Sequence, residues 1–132
     1  MTTDSPHSRD EVPNVPTGTV TFLFTDIEGS TRLLERLHEQ YAVVLDDQRD
    51  LLRVAFTAHN GHEIDTQGDS FFVAFGRALD AVVCVAEAQR ALAAHAWPNG
   101  ATVRVRMGLH TGEPILARTG YEIGRASCRE RV

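Results

Sequence analysis

Lysine is missing from the whole chain of 132 residues, and all 13 basic side chains are arginine. Every cationic contact the protein makes is therefore a planar guanidinium rather than a compact ammonium. Cysteine is scarce, with only Cys84 and Cys128, too few for a disulfide-stapled secreted scaffold. No apolar run approaches the roughly 20 residues of a membrane-spanning helix, and the N-terminus lacks the basic-then-apolar layout of a signal peptide. A surplus of positive charge is also absent. The net charge of −5 argues against nucleic-acid binding as the main task. What remains, at 42% hydrophobic and 23% charged residues, is the composition of one small globular domain. These absences together lead us to expect a cytoplasmic protein with no membrane and no nucleic-acid partner.

The richest segment is Thr19-Val20-Thr21-Phe22-Leu23-Phe24-Thr25-Asp26-Ile27-Glu28-Gly29-Ser30-Thr31. A β-branched and aromatic run ends on a carboxylate, passes a glycine and opens a helix on Ser/Thr. That order sets an acidic ligand at the end of a strand, with the free N–H groups of a helix N-terminus one turn away, a natural place for phosphate. Two readings fit: a metal-dependent phosphate site, or a buried strand followed by an ordinary Asp/Ser helix cap.

A second carboxylate favours the first. Gly61 to Phe75 contains two strand-like runs around Gly68-Asp69, a dipeptide suited to a tight hairpin. Asp69 then sits at a hairpin tip as Asp26 sits at a strand end. If the strands are neighbours the two converge. Paired carboxylates suit two Mg²⁺ or Mn²⁺ ions about 3.5–4 Å apart, the arrangement used for in-line attack on phosphate.

The remaining pattern completes an alternation. Strand one covers about Gly18 to Thr25. A helical region follows from about Ser30 to His59, broken near His38, with Tyr41, Val44, Leu45, Leu52, Ala55 and Phe56 on one face and Asn60-Gly61 as its stop. After the hairpin, Arg77 to Ala96 places Leu79, Val82, Val85, Ala86, Gln89 and Leu92 at helical spacing. Strand four, about Thr102 to His110, alternates Val103, Val105, Met107 and Leu109 with Arg104 and Arg106. The order β-α-β-β-α-β predicts an α+β, ferredoxin-like core.

The strings VTFLFTDIEGSTRL, QGDSFFVAF and VRMGLHTGEP, in this order from about Thr17 to Tyr121, resemble the class III adenylate/guanylate (nucleotidyl) cyclase catalytic domain of the bacterial type. An unrelated palm-like phosphotransferase would share the two aspartates but not the whole motif order. The resemblance implies a head-to-tail homodimer in the intact parent, with a purine nucleoside triphosphate, ATP or GTP, at the interface. It implies that Asp26 and Asp69 bind two Mg²⁺ or Mn²⁺ ions, helped by the Ile27 carbonyl. Backbone N–H groups of Glu28, Gly29, Ser30 and Thr31 would hold the triphosphate, with Arg106 as a further contact. The family's purine-reading lysine falls at Asp65, four residues before Asp69. A carboxylate accepts where an ammonium donates, so Asp65 can take a hydrogen bond from guanine N2 or adenine N6.

The ends depart from this pattern. Met1 to Pro16 is polar and proline-punctuated, expected to be a disordered leader. Residues 17–121 are expected to be the N-terminal part of the cyclase domain. Glu122 to Val132 reads like the frame translation of a short-read sequencing adapter, so native information is expected to stop near Tyr121. That leaves Cys84 as the single native cysteine, expected to be a small buried hydrophobe. It also puts the family's transition-state asparagine and arginine beyond Tyr121, so the fold is expected to be incomplete at its C-terminus and this chain inactive alone.

Other residues carry plainer expectations. His59 and His62 are read as exposed or helix-end partners, Glu28 as a local cap or surface acid rather than a third metal ligand, and Phe71, Phe72 and Phe75 as core. Two functions stay in view. One is a nucleotidyl cyclase fragment whose parent makes a 3′,5′-cyclic nucleotide and pyrophosphate. The other is a degenerate, non-catalytic regulatory or dimerisation module of a larger signalling or transcription regulator.

Overall fold

The computed structural model describes residues 18–113 in full and the backbone of 115–117 and 120–122. Both terminal expectations, the leader Met1–Pro16 and all but the first residue of the tail Glu122–Val132, lie outside the described residues. Strand β1 (Val20–Ile27) is buried along nearly its whole length. A run of β-branched and aromatic residues with no polar face belongs at the centre of a sheet, covered on both sides. It starts and ends two residues later than the sequence pattern suggests, which brings Asp26 inside the strand.

Strands β2 (Gly61–Gln67), β3 (Ser70–Phe75) and β4 (Val105–Gly112) complete a four-stranded antiparallel sheet in the order β2-β3-β1-β4. This is the ferredoxin-like arrangement, with two helices in its first helical slot. Helix α1 (Ser30–Leu37) stops at His38, whose φ of 54° no regular helix accepts. Helix α2 (Gln40–Ala58) then runs until Asn60 adopts φ 63°, the left-handed stop that asparagine supplies nearly as well as glycine. Gly61 serves a different need from a helix stop, because a Cβ there would lie 2.9 Å from Phe75 Cζ.

Helices α2 and α3 (Ala78–Ala94) cover one sheet face, where Leu23, Ile27, Phe71, Val73 and Phe75 meet Val44, Leu52, Phe56, Cys84 and Leu92. The α3 stripe corrects the sequence reading in part: Leu92 faces inward and Val85 packs on the core as expected, but Ala81, Cys84 and Ala88 also face inward while Leu79 and Val82 are exposed. Cys84 is buried as expected. Each fully buried Leu or Phe contributes about 1.5–3 kcal/mol, whereas the ion pairs of the described residues are part-exposed and screened by solvent. The fold therefore rests on this core.

The opposite sheet face carries a second apolar layer of Val20, Phe22 and Ala74, with Phe24, Ile64 and Phe72 packed on it. Phe72 stacks on Phe22 and Phe24 at ring separations of 5.2 and 4.8 Å. A short hairpin of β5 (Ile115–Ala117) and β6 (Gly120–Glu122) follows β4; the sequence reading did not foresee it. No helix among the described residues is long and apolar enough to cross a membrane.

Candidate active site

Asp26 is the penultimate residue of β1 and pairs across the ladder with Arg106 of β4. Side chains directly opposite on one face of a ladder are close neighbours. Here they form a two-pronged ion pair, with Arg106 Nε donating to Asp26 Oδ1 at 2.8 Å and Nη2 to Oδ2 at 2.7 Å. The carboxylate raises the Arg106 pKa, first through this hydrogen bond and then through its charge. The sequence reading assigned one residue to metal and the other to phosphate. The pairing between them is a finding of the structure.

Asp69 reaches the same place from the other side. Gly68, at φ 57°, makes the turn between β2 and β3, and Asp69 Oδ2 accepts the Ile27 N–H at 2.8 Å. The two carboxylates thus converge around Ile27, as the strand-end and hairpin-tip positions suggested.

Helix α1 begins beside them. Gly29 at φ 64° is its N-cap, and no side chain caps the helix, so the Asp/Ser cap reading does not hold. The first amides of a helix have no partner within it, and among the described residues no side chain caps α1, so Ser30 and Thr31 bring uncapped N–H groups to the cleft they line. Glu28 differs, because its N–H is spent on the Arg104 carbonyl at 2.8 Å. Asp26, Ile27, Gly29, Ser30, Thr31, Asp69 and Arg106 line one cleft of about 450 Å³, which Arg32 also borders.

An adjoining cleft of about 500 Å³ lies against the second apolar layer, bordered by Phe24, Phe72, Met107, Asp65, Gln67 and, shared with the first, Asp26 and Arg106. Asp65 faces it because, counted back from the turn, it pairs with Phe72. The ladder pairs Glu63 with Val73 and Asp65 with Phe72, so Ile64 is an extra residue that changes the strand's parity. Glu63 points to the helix side, where Arg53 binds both its oxygens at 2.9 Å. Asp65 is turned to the Phe72 side and accepts from Gln67 Nε2 at 3.1 Å. Phe72 is accordingly a cleft residue as well as a packing one.

Three contributors escaped the sequence reading. Arg32 borders the phosphate-sized cleft. Arg49 of α2 donates from Nη2 to the Gly68 carbonyl at 2.5 Å, fixing the turn that carries Asp69. Tyr41 is within hydrogen-bond reach of Ser30, and its phenol pKa is pushed up by burial and then by the Asp69 charge. No motif flags Arg49 or Tyr41, because they come from a helix distant in sequence.

Residues 12–125 match the family model of the adenylate and guanylate cyclase catalytic domain, and the chain belongs to that family. It is 40% identical over 103 residues to an uncharacterized protein of Mycobacterium tuberculosis, covering 76% of this chain and 34% of that protein. It is 31% identical over 119 residues to the adenylate cyclase of Lachancea kluyveri, covering 76% of this chain and 6% of that enzyme. The chain thus spans about a third or less of the curated relatives it matches. Its fold is similar to that of an adenylate cyclase of Trypanosoma brucei in its monomeric state, with a TM-score of 0.78 at 24% identity, covering 93% of this chain and 71% of that one.

Proposed function

We propose that this chain is the metal- and triphosphate-holding part of a nucleotidyl cyclase whose intact parent, a homodimer, converts ATP or GTP to a 3′,5′-cyclic nucleotide and pyrophosphate. The observation that carries the reading is the convergence of Asp26, Asp69 and the uncapped start of α1 on one cleft.

The donor set fits hard divalent cations. Two carboxylates and the Ile27 carbonyl offer only oxygen, as Mg²⁺ and Mn²⁺ prefer, and leave positions for water and phosphate. When bound, such ions supply charge neutralisation at the phosphates and lower the pKa of the attacking hydroxyl. The chain's own part is positioning. Amides of Gly29, Ser30 and Thr31 receive phosphate oxygens, and Arg106 gives a planar fork to the same chain of phosphates. Phe24 and Phe72 form an apolar wall for the purine, and the Asp65 carboxylate accepts from an exocyclic amine of the base. In the reaction the 3′-oxygen bonds to the α-phosphorus, the bond from that phosphorus to the β-bridging oxygen breaks, and the hydroxyl proton leaves to solvent. Tail residues Glu122–Val132 stand outside this assignment, and the groups that steady the transition state come from beyond Tyr121.

The test is binding of fluorescent ATP and GTP analogues by the full chain with Mn²⁺ and with EDTA. The expected result is metal-dependent binding that Asp26→Ala reduces at least tenfold while the circular dichroism spectrum is unchanged. Binding indifferent to metal and to Asp26 would overturn the assignment.

A further inference from the structure

We propose that Arg106 is an exchangeable counter-ion, holding Asp26 in the nucleotide-free protein and transferring to the triphosphate as a divalent cation takes its place. The proposal rests on the metal reading above and deepens it.

The two aspartates are not equally prepared for a metal. Asp69 commits one oxygen, Oδ2, to the Ile27 N–H. Asp26 has both oxygens taken by the two prongs of Arg106. A guanidinium and a divalent cation carry like charges and need the same lone pairs, so close occupation by one disfavours the other. Release is structurally easy, because the Arg106 side chain is 64% exposed and the pair has none of the cost of opening a buried one. Arg106 also borders both clefts, so a short swing carries it from the carboxylate to a bound phosphate. Other acids influence it less: Glu28 and Asp69 act on it only through charge, at greater range than Asp26.

Two consequences follow for loading. Divalent cations alone bind weakly, because Arg106 competes for Asp26. Triphosphate strengthens their binding by giving Arg106 another anion, so the two ligands load together, a coupling that runs equally in both directions. An arginine suits this role since its charge persists at any working pH.

The experiment is a Mn²⁺ titration of the full chain, followed by the electron paramagnetic resonance signal of free Mn²⁺, for the wild type, Arg106→Ala and Asp26→Ala. Arg106→Ala is expected to bind Mn²⁺ roughly fivefold more tightly, the factor equivalent to the upper value of an exposed ion pair, and Asp26→Ala to lose binding. In the wild type, the Arg106 Nε–H resonance, identified by its loss in Arg106→Ala, is expected to shift as Mg²⁺ saturates the site. Wild-type Mn²⁺ binding that Arg106→Ala leaves unchanged or weakens, or a resonance unmoved by Mg²⁺, overturns the exchange and leaves the metal reading standing. No Mn²⁺ binding by folded wild type or Arg106→Ala overturns both.

Discussion

The Ile27 N–H donates to the Asp69 carboxylate at 2.8 Å, joining the end of the central strand to a hairpin tip 42 residues further along the chain. The bond uses a backbone donor, so it constrains the hairpin irrespective of the side chain at Ile27. It also sets one carboxylate oxygen and leaves the other for the cleft. Structural and ligand-binding duties of Asp69 are thereby separable.

Asp69→Asn keeps an acceptor for the Ile27 N–H and removes the charge. We expect unfolding stability to fall by less than about 1 kcal/mol, since a neutral hydrogen bond replaces a charge-assisted one. Divalent affinity should fall at least tenfold. Urea denaturation read beside Mn²⁺ titration separates the two; a loss of stability without a loss of metal affinity would refute the separation.

Arg49→Met removes the bond to the Gly68 carbonyl while keeping much of the side-chain volume. Arg49 Nε is buried with no hydrogen-bond partner among the described residues, so the loss on substitution is partly offset. We expect a stability change within about 1 kcal/mol and faster amide exchange at Gly68 and Asp69 than in the wild type. Unchanged exchange there would show that Arg49 does not hold the turn.

Gln48 is fully buried in α2, and its side-chain oxygen has no hydrogen-bond partner among the described residues. An orphaned buried acceptor costs about 1–3 kcal/mol. Gln48→Leu should therefore raise the urea midpoint, by about 1 kcal/mol or more of stability, with an unchanged slope against denaturant. A lowered midpoint would mean the amide contributes more than its single long bond to the Leu45 carbonyl indicates.

Arg53 holds the Glu63 carboxyl below its ordinary value of 4.5, through the hydrogen bonds first. A carboxyl depressed in the folded state stabilises it above the unfolded value, and that contribution is lost as pH falls through the lower folded value. Thermal stability should thus decline below about pH 4.5. Arg53→Met should lessen the part of the decline that Glu63 causes, measured as the difference in Tm between pH 6 and pH 3.5. An identical decline in both proteins would assign the acid sensitivity elsewhere.

Much of this architecture was legible in the residues, for physical reasons that differ from element to element. Central β1 announced itself because it lacks a polar face, and the helical break near His38 and the turn at Gly68-Asp69 are local signals. The inward stripe of α3 was partly misread because the helix is apolar on several sides. Periodicity favours the larger Leu79 and Val82, whereas packing between α2 and the sheet takes the small Ala81, Cys84 and Ala88. At the site, Asp26 and Asp69 were legible as strand and hairpin ends. Arg49 and the Arg106–Asp26 pair were not, because both depend on contacts between distant segments. That Glu63 and Asp65 face opposite sides depends on an extra residue that no alternation pattern reveals.

That extra residue, Ile64, frees the length of β2 from the chemistry of the carboxylates beside it. Deleting its codon leaves Glu63 opposite Val73 and Asp65 opposite Phe72, as they are now, with Asp69 and its bond to the Ile27 N–H also in register. The loss falls instead on the second apolar layer, against which Ile64 packs. In a lineage of such domains, β2 can thus change length by one residue while both of its carboxylates keep their faces.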